Sequence, residues 1–133
     1  MLTLDALEQE AERLWRALPP HGVVWLSGEL GAGKTTFVQA VSRAAGAEPP
    51  RSPTYALVHE YASPAGVIAH VDCYRLRSPD EAGDLDLDGL RRRARLVLIE
   101  WPERAGEYAP APDAHLRFRH TDRPDQRRVE RVE

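Results

Sequence analysis

The chain has 133 residues, which predicts one domain spanning 1–133, large enough to bury a core without disulfide or metal staples. Hydrophobic residues make up 42% and charged residues 29%, too apolar for a disordered chain, and a net charge of −3 argues against holding nucleic acid by bulk electrostatics alone. A single cysteine, Cys73, excludes an intramolecular disulfide and any zinc site built on two thiolates. No apolar run approaches the ~18 residues of a membrane span, and the acidic opening (Asp5, Glu8, Glu10, Glu12) does not read as a signal peptide. The expected setting is the cytoplasm, with no membrane contact. Seventeen of the 18 basic residues are Arg, and the only Lys is Lys34. Base composition explains the bias; the surviving Lys then marks a place where a compact ammonium cannot be exchanged for a planar guanidinium.

In chain order, Leu7, Ala11, Leu14 and Leu18 form one apolar helical face, with Asp5 and Glu8 resembling a capping pair and Pro19-Pro20 as the stop. Val23-Val24-Trp25-Leu26 reads as a short buried parallel strand. A second helix is predicted from Thr35 through Val38, Val41 and Ala45, closed by Gly46. The prolines of 49–53 demand an extended loop. Runs Tyr55–Tyr61 and Val67–Val71 form a hairpin about Ser63-Pro64-Ala65-Gly66. Asp80–Leu90 reads as helix and loop, Arg95–Glu100 as a buried strand, and His115–Arg119 with Arg127–Val132 as a terminal hairpin. The fold class expected is α/β: a three-layer α/β/α P-loop domain with a mainly parallel central sheet and both hairpins as antiparallel additions.

The strongest chemical signal is Gly28-Glu29-Leu30-Gly31-Ala32-Gly33-Lys34-Thr35, a full match to G-x-x-x-x-G-K-[ST] between a strand and a helix. Glycines at 28, 31 and 33 let backbone N–H groups, those of Ala32 and Thr36 among them, converge on an anion at a positive helix end. Lys34 reaches the β/γ-phosphates and the Thr35 hydroxyl takes Mg²⁺, facing solvent until nucleotide arrives in the case of Lys34. A guanine-reading Asn/Thr-Lys-x-Asp loop requires a second Lys, and there is none, so ATP is the expected nucleotide.

Such a site needs an acidic residue at a neighbouring strand end. Glu100 closes Leu96–Ile99 and Asp72 closes Val67–Val71; either could be the direct metal ligand, and the bland alternative for both is an ion pair with an Arg. Thr54, in the proline-stiffened Ser52-Pro53-Thr54-Tyr55, is either a γ-phosphate sensor or a plain turn hydroxyl. Trp101 packs on the P-loop or nucleotide, or is core surface, and His70 reads as a satisfied core histidine. Asp84-x-Asp86-x-Asp88-Gly89 opens like a calcium loop but has Arg95 at its twelfth position, and so fails. Arg91–Arg95 and the C-terminal arginines are solvated faces, or contacts for a partner or nucleic acid.

Taken together, Gly28–Thr36, Ser52–Tyr55, His70-Val-Asp-Cys-Tyr-Arg-Leu76 and Ile99-Glu-Trp-Pro-Glu-Arg104 resemble the TsaE (YjeE) family in order and spacing over 28–104. The resemblance implies an ATPase that supports threonylcarbamoyladenosine formation in tRNAs reading codons that begin with A. It implies work alongside the TsaB–TsaD pair, without itself transferring the group. It also implies Mg²⁺ on Thr35 and Glu100, with Asp72 near the metal or attacking water, and Lys34 and Thr54 in the catalytic set. The segment Asp84–Leu90 is more Asp-rich than the family's usual stretch. Two other classes fit a P-loop: a small-molecule kinase, for which 133 residues leave little room for an acceptor pocket and lid, and a nucleotide-sensing adaptor.

Overall fold

The computed structural model describes residues 2–29, 31–48, 57–124 and 126–132. Its order is β1 (Leu2–Thr3), α1 (Leu4–Ala17), β2 (Gly22–Gly28), α2 (Lys34–Ala44), β3 (Val58–Ser63), β4 (Gly66–Asp72), α3 (Pro79–Asp84), α4 (Leu87–Arg93), β5 (Leu96–Glu100), β6 (Ala114–His120) and β7 (Gln126–Arg131). Short 3₁₀ segments, Cys73–Arg75 and Pro102–Tyr108, follow β4 and β5. The strands form one sheet in the order β1-β7-β6-β2-β5-β4-β3.

Alternation in the central strands explains the layers. Val24 and Leu26 of β2, Leu96 and Leu98 of β5, and Ile68 of β4 pack with Leu7, Ala11 and Leu14 of α1 and Phe37, Val38 and Val41 of α2. The intervening Val23, Val97, Ile99, Ala69 and Val71 pack on the opposite face with Ala82, Leu87 and Leu90 of α3 and α4. Strands buried on both faces must be apolar at every position, which is why they read as continuous runs. The result is the expected α/β/α arrangement with a parallel centre.

Three details differ from the sequence reading. Each hairpin contributes only its outer strand in antiparallel sense: β4 joins β5 in parallel and β6 joins β2 in parallel, while β3 and β7 run antiparallel outside them. Once β4 and β6 find a central strand of matching direction, they extend the parallel core instead of decorating it. Helix α1 begins at Leu4, so Asp5 lies in its first turn instead of capping it, and the Glu8 carboxylate pairs with Arg43 of α2. The Asp84–Gly89 segment is structural: the Asp86 side chain accepts the Gly89 N–H at 3.1 Å at the start of α4, and Asp88 pairs with Arg91 and Arg92. The Gly46 stop holds as read, with the Gly46 N–H donating to Arg43 O and the Ala47 N–H to Ser42 O, a Schellman closure around a left-handed glycine. Residues 49–56, with the predicted 49–53 loop and the start of the predicted Tyr55–Tyr61 run, lie outside the described residues.

Candidate functional site

Parallel strands deliver their C-terminal ends to one edge of the sheet, and the loop after β2 lies at that edge. Gly28 adopts φ +129°, and a Cβ added there would fall 2.0 Å from the Phe118 carbonyl oxygen on β6. Only glycine lets β2 turn into the loop while paired to β6. Gly31 (φ +72°) and Gly33 (φ +102°) are also left-handed, and Gly33 serves as N-cap of α2, its carbonyl accepting the Phe37 N–H at 2.9 Å. Ala32 is buried, with its N–H donated to Glu29 O at 3.2 Å. Gly28→Ala is expected to cost about 3 kcal/mol through clash and backbone strain. That lowers the melting midpoint by roughly 10 °C for a chain of this size, read in a thermal scan. An unchanged midpoint would mean that the β2–β6 junction yields to the methyl group.

Lys34 overturns one expectation: it does not face solvent. The residue is 4% exposed, and Nζ donates to Gly28 O at 2.6 Å and Glu29 O at 2.8 Å, with the Trp101 ring centroid 4.7 Å away. A buried ammonium needs acceptors, and here the loop carbonyls and an aromatic face supply them. Burial pulls its pKa below the usual lysine value, opposed by the charges of Glu100, Asp72, Glu103 and Glu29.

Glu100 ends β5, almost fully buried, and its register partner across β4 is Asp72. Alternation directs both carboxylates to the α2 face, the side of Leu96, Leu98 and Ile68. Thr35 Oγ1 donates to Glu100 Oε2 at 3.3 Å, and His70 Nε2 hydrogen-bonds the same oxygen. The expected bland partner was an Arg; the partner found for Glu100 is His70, two residues before Asp72 on the same strand. His70 is thus the satisfied histidine of the sequence reading, and its ring stacks with His59 of β3, centroids 6.0 Å apart. Asp72 Oδ1 accepts the Tyr74 N–H at 3.0 Å, which starts the 3₁₀ turn and leaves the carboxylate facing the cleft.

Thr36, Asp72, Tyr74 and Trp101 share with the glycine loop a cleft of about 240 Å³. Trp101 takes up φ +57°, a conformation costly for a bulky residue, and its N–H donates to Leu26 O at 3.1 Å. Trp101 combines two of its alternatives, with its ring over the P-loop lysine and its body packed against the core of the opposite face. Arg104 donates to Tyr74 O at 3.0 Å and lies over the Tyr74 and Trp101 rings. Thr54 lies outside the described residues, as does Leu30 of the loop. Cys73 is buried, its thiol pushed up to about 12 by desolvation and the nearby carboxylates, which leaves it chemically quiet.

Two residues were missed as members of this site. His70 had a signal, since period-two alternation places it on the same face as Asp72. Arg127 had none beyond membership of an arginine-rich tail, yet it lines the cleft beside Gly33.

A family model described as "Threonylcarbamoyl adenosine biosynthesis protein TsaE" matches residues 2–129. The chain belongs to the TsaE family. Among family relatives, the tRNA threonylcarbamoyladenosine biosynthesis protein TsaE of Haemophilus influenzae is 34% identical over 111 residues, covering 83% of this chain and 69% of that protein. TsaE of Aquifex aeolicus is 38% identical over 97 residues, covering 71% and 68% respectively. A crystal structure of Bacillus subtilis YdiB superposes with a TM-score of 0.77 at 23% identity, over 97% of this chain and 79% of that one, and supports the fold. Family membership makes this a nucleotide-binding chain of the P-loop type, with a role in tRNA threonylcarbamoyladenosine biosynthesis. Among the described residues, no helix is long and apolar enough to cross a membrane.

Proposed function

We propose that the chain is a Mg²⁺-dependent ATPase that supports N6-threonylcarbamoyladenosine modification of tRNAs reading codons that begin with A. It acts with the TsaB–TsaD pair in the cytoplasm and leaves group transfer to that pair. The observation that carries this reading is the approach of Thr35 Oγ1 to Glu100 Oε2, 3.3 Å, beneath a glycine loop into which Lys34 is turned. A hydroxyl and a carboxylate are hard oxygen donors, the kind Mg²⁺ takes one or two of while keeping phosphate oxygens and waters as its other ligands. Among the described residues, no group of three or more His, Cys, Asp or Glu side chains could hold a metal by itself, in keeping with an ion shared with the nucleotide. Mg²⁺ bound there would draw charge from the β- and γ-phosphates.

The chain's own residues do the rest. Backbone N–H groups of Gly31–Thr36 and the N-terminus of α2 hold the phosphates. Lys34 leaves the carbonyls of Gly28 and Glu29 for the β/γ-phosphate bridge, exchanging neutral acceptors for charged ones. His70 holds Glu100 in its rotamer. Asp72 orients the attacking water or a metal-bound water, and Thr54 reports the γ-phosphate.

Among the described residues, Lys34 is the cation turned into the loop, Arg104 is held on Tyr74, and Arg127 lies beside Gly33. Hydrolysis by the chain alone is therefore slow, and a group supplied by the partners speeds it; an added Arg is worth roughly 10³–10⁵ in P-loop enzymes. Steady-state phosphate release at saturating Mg-ATP, titrated with TsaB–TsaD and tRNA, tests this. Free phosphate rising with partner supports the reading. A flat titration despite demonstrated binding overturns partner activation, a phosphorylated metabolite points to a kinase, and no turnover under any condition points to a sensor.

A further inference from the structure

Among the described residues, one buried side-chain polar atom lacks a hydrogen-bond partner, and it is Nε of Arg127. A buried guanidinium nitrogen left unpaired costs free energy, and in a binding cleft such an atom marks where a ligand's acceptor belongs. One end of the guanidinium is held: Nη1 donates to Pro124 O and to Gln126 O, each at 2.8 Å. Nε is thereby turned inward, about 4.0 Å from where a Cβ on Gly33 would stand, at the N-terminal end of α2. Arg127 lies opposite His120, the last residue of β6, so it reaches the cleft from the same sheet edge as the loop.

The strand order decides which part of a nucleotide it meets. Glu100 and Asp72 end β5 and β4, on one side of β2; Arg127 stands on β7, on the other side. A nucleotide whose terminal phosphate and metal lie at the carboxylates must run its remaining phosphates and nucleoside toward β6 and β7. Resting on the ATP reading above, we propose that Arg127 binds the non-terminal phosphates of the nucleotide through Nε. Arg127 is a binding residue common to di- and triphosphate, distinct from any group that senses the γ-phosphate.

The test compares ADP and a non-hydrolysable ATP analogue by calorimetry on the full chain. Wild-type binding of both comes first; its failure would overturn the ATP reading itself and this proposal with it. Arg127→Ala is then expected to weaken both nucleotides by the same factor, about tenfold to a hundredfold. Unchanged affinity for both overturns the proposal, as does a loss confined to the triphosphate analogue, which would move Arg127 to the γ-phosphate. Thermal scans without nucleotide establish that the variant is folded. If it is not, Arg127→Lys serves instead: it retains the charge but not the fixed Nε donor, and full wild-type affinity for ADP would equally overturn the assignment.

Discussion

Lys34→Ala is expected to weaken nucleotide binding by at least about a hundredfold while the chain stays folded. The ammonium makes two charge-assisted contacts with loop carbonyls, 2.6 and 2.8 Å, and carries them over to phosphate oxygens when nucleotide binds. Hydrogen bonds to charged groups contribute about 1.5–3 kcal/mol each, and each 1.4 kcal/mol is about tenfold in affinity. The fold is spared because two effects of the deletion oppose each other. The two carbonyls lose their donor, but they lie at the cleft, where water can replace it. In return the folded state no longer has to bury a cation. Burial lowers the Lys34 pKa, so the unfolded chain holds this proton more tightly, and the cost to folding is fully present below the depressed pKa and fades as pH rises from there to the ordinary lysine value. Lys34→Arg is expected to lose binding as well, since a planar guanidinium does not replace a compact ammonium held by two carbonyls under the Trp101 ring. Calorimetric titration with ADP and ATP checks both variants; wild-type affinity in either would remove Lys34 from the phosphate site.

Glu100→Gln should leave nucleotide affinity within a few-fold of wild type and cut Mg²⁺-dependent phosphate release by roughly a hundredfold or more. The amide keeps the side chain's shape and loses the charge that a divalent cation requires. It also changes what His70 and Thr35 meet, because both bond the same Oε2 in the native chain. A second signature follows from the assignment of roles: the variant should need much more Mg²⁺ to reach half-maximal rate. Asp72→Asn should lower the rate with a smaller change in Mg²⁺ requirement, because Asp72 shares the register row but not the Thr35 hydroxyl. Normal hydrolysis by Glu100→Gln together with an inert Asp72→Asn would reverse the two carboxylates.

Much of this was legible from sequence because the relevant signals are local. The glycine loop is written in consecutive residues, since a backbone that curls around an anion needs its glycines at fixed offsets between a strand and a helix. The central strands announce themselves by apolar runs ending in a carboxylate, because strands covered on both faces have no polar side until they leave the core. Gly46 stops α2 by a conformation that only its own φ decides. Strand direction was less legible. Both terminal members of each predicted hairpin carry the same β-forming residues, and whether the inner one joins a central strand in parallel depends on which strand it meets.

What only the tertiary structure decided are contacts between residues far apart in the chain. Lys34 was read as solvent-facing, and local sequence holds nothing to contradict that; its burial comes from Trp101, 67 positions on, closing over the loop. Glu100 could be matched to an acidic role but not to His70, because the pairing needs β4 beside β5 in register. Arg127 is the clearest case. Seventeen arginines are alike in sequence, and the composition marks none of them. One becomes part of the phosphate cleft because β7 folds back along β6 and sets it against the helix end at Gly33, where its Nε is shielded from water and left without an acceptor. Sequence specifies the chemistry that local backbone geometry requires; burial and unmet hydrogen bonds belong to packing, and here they single out the further residue.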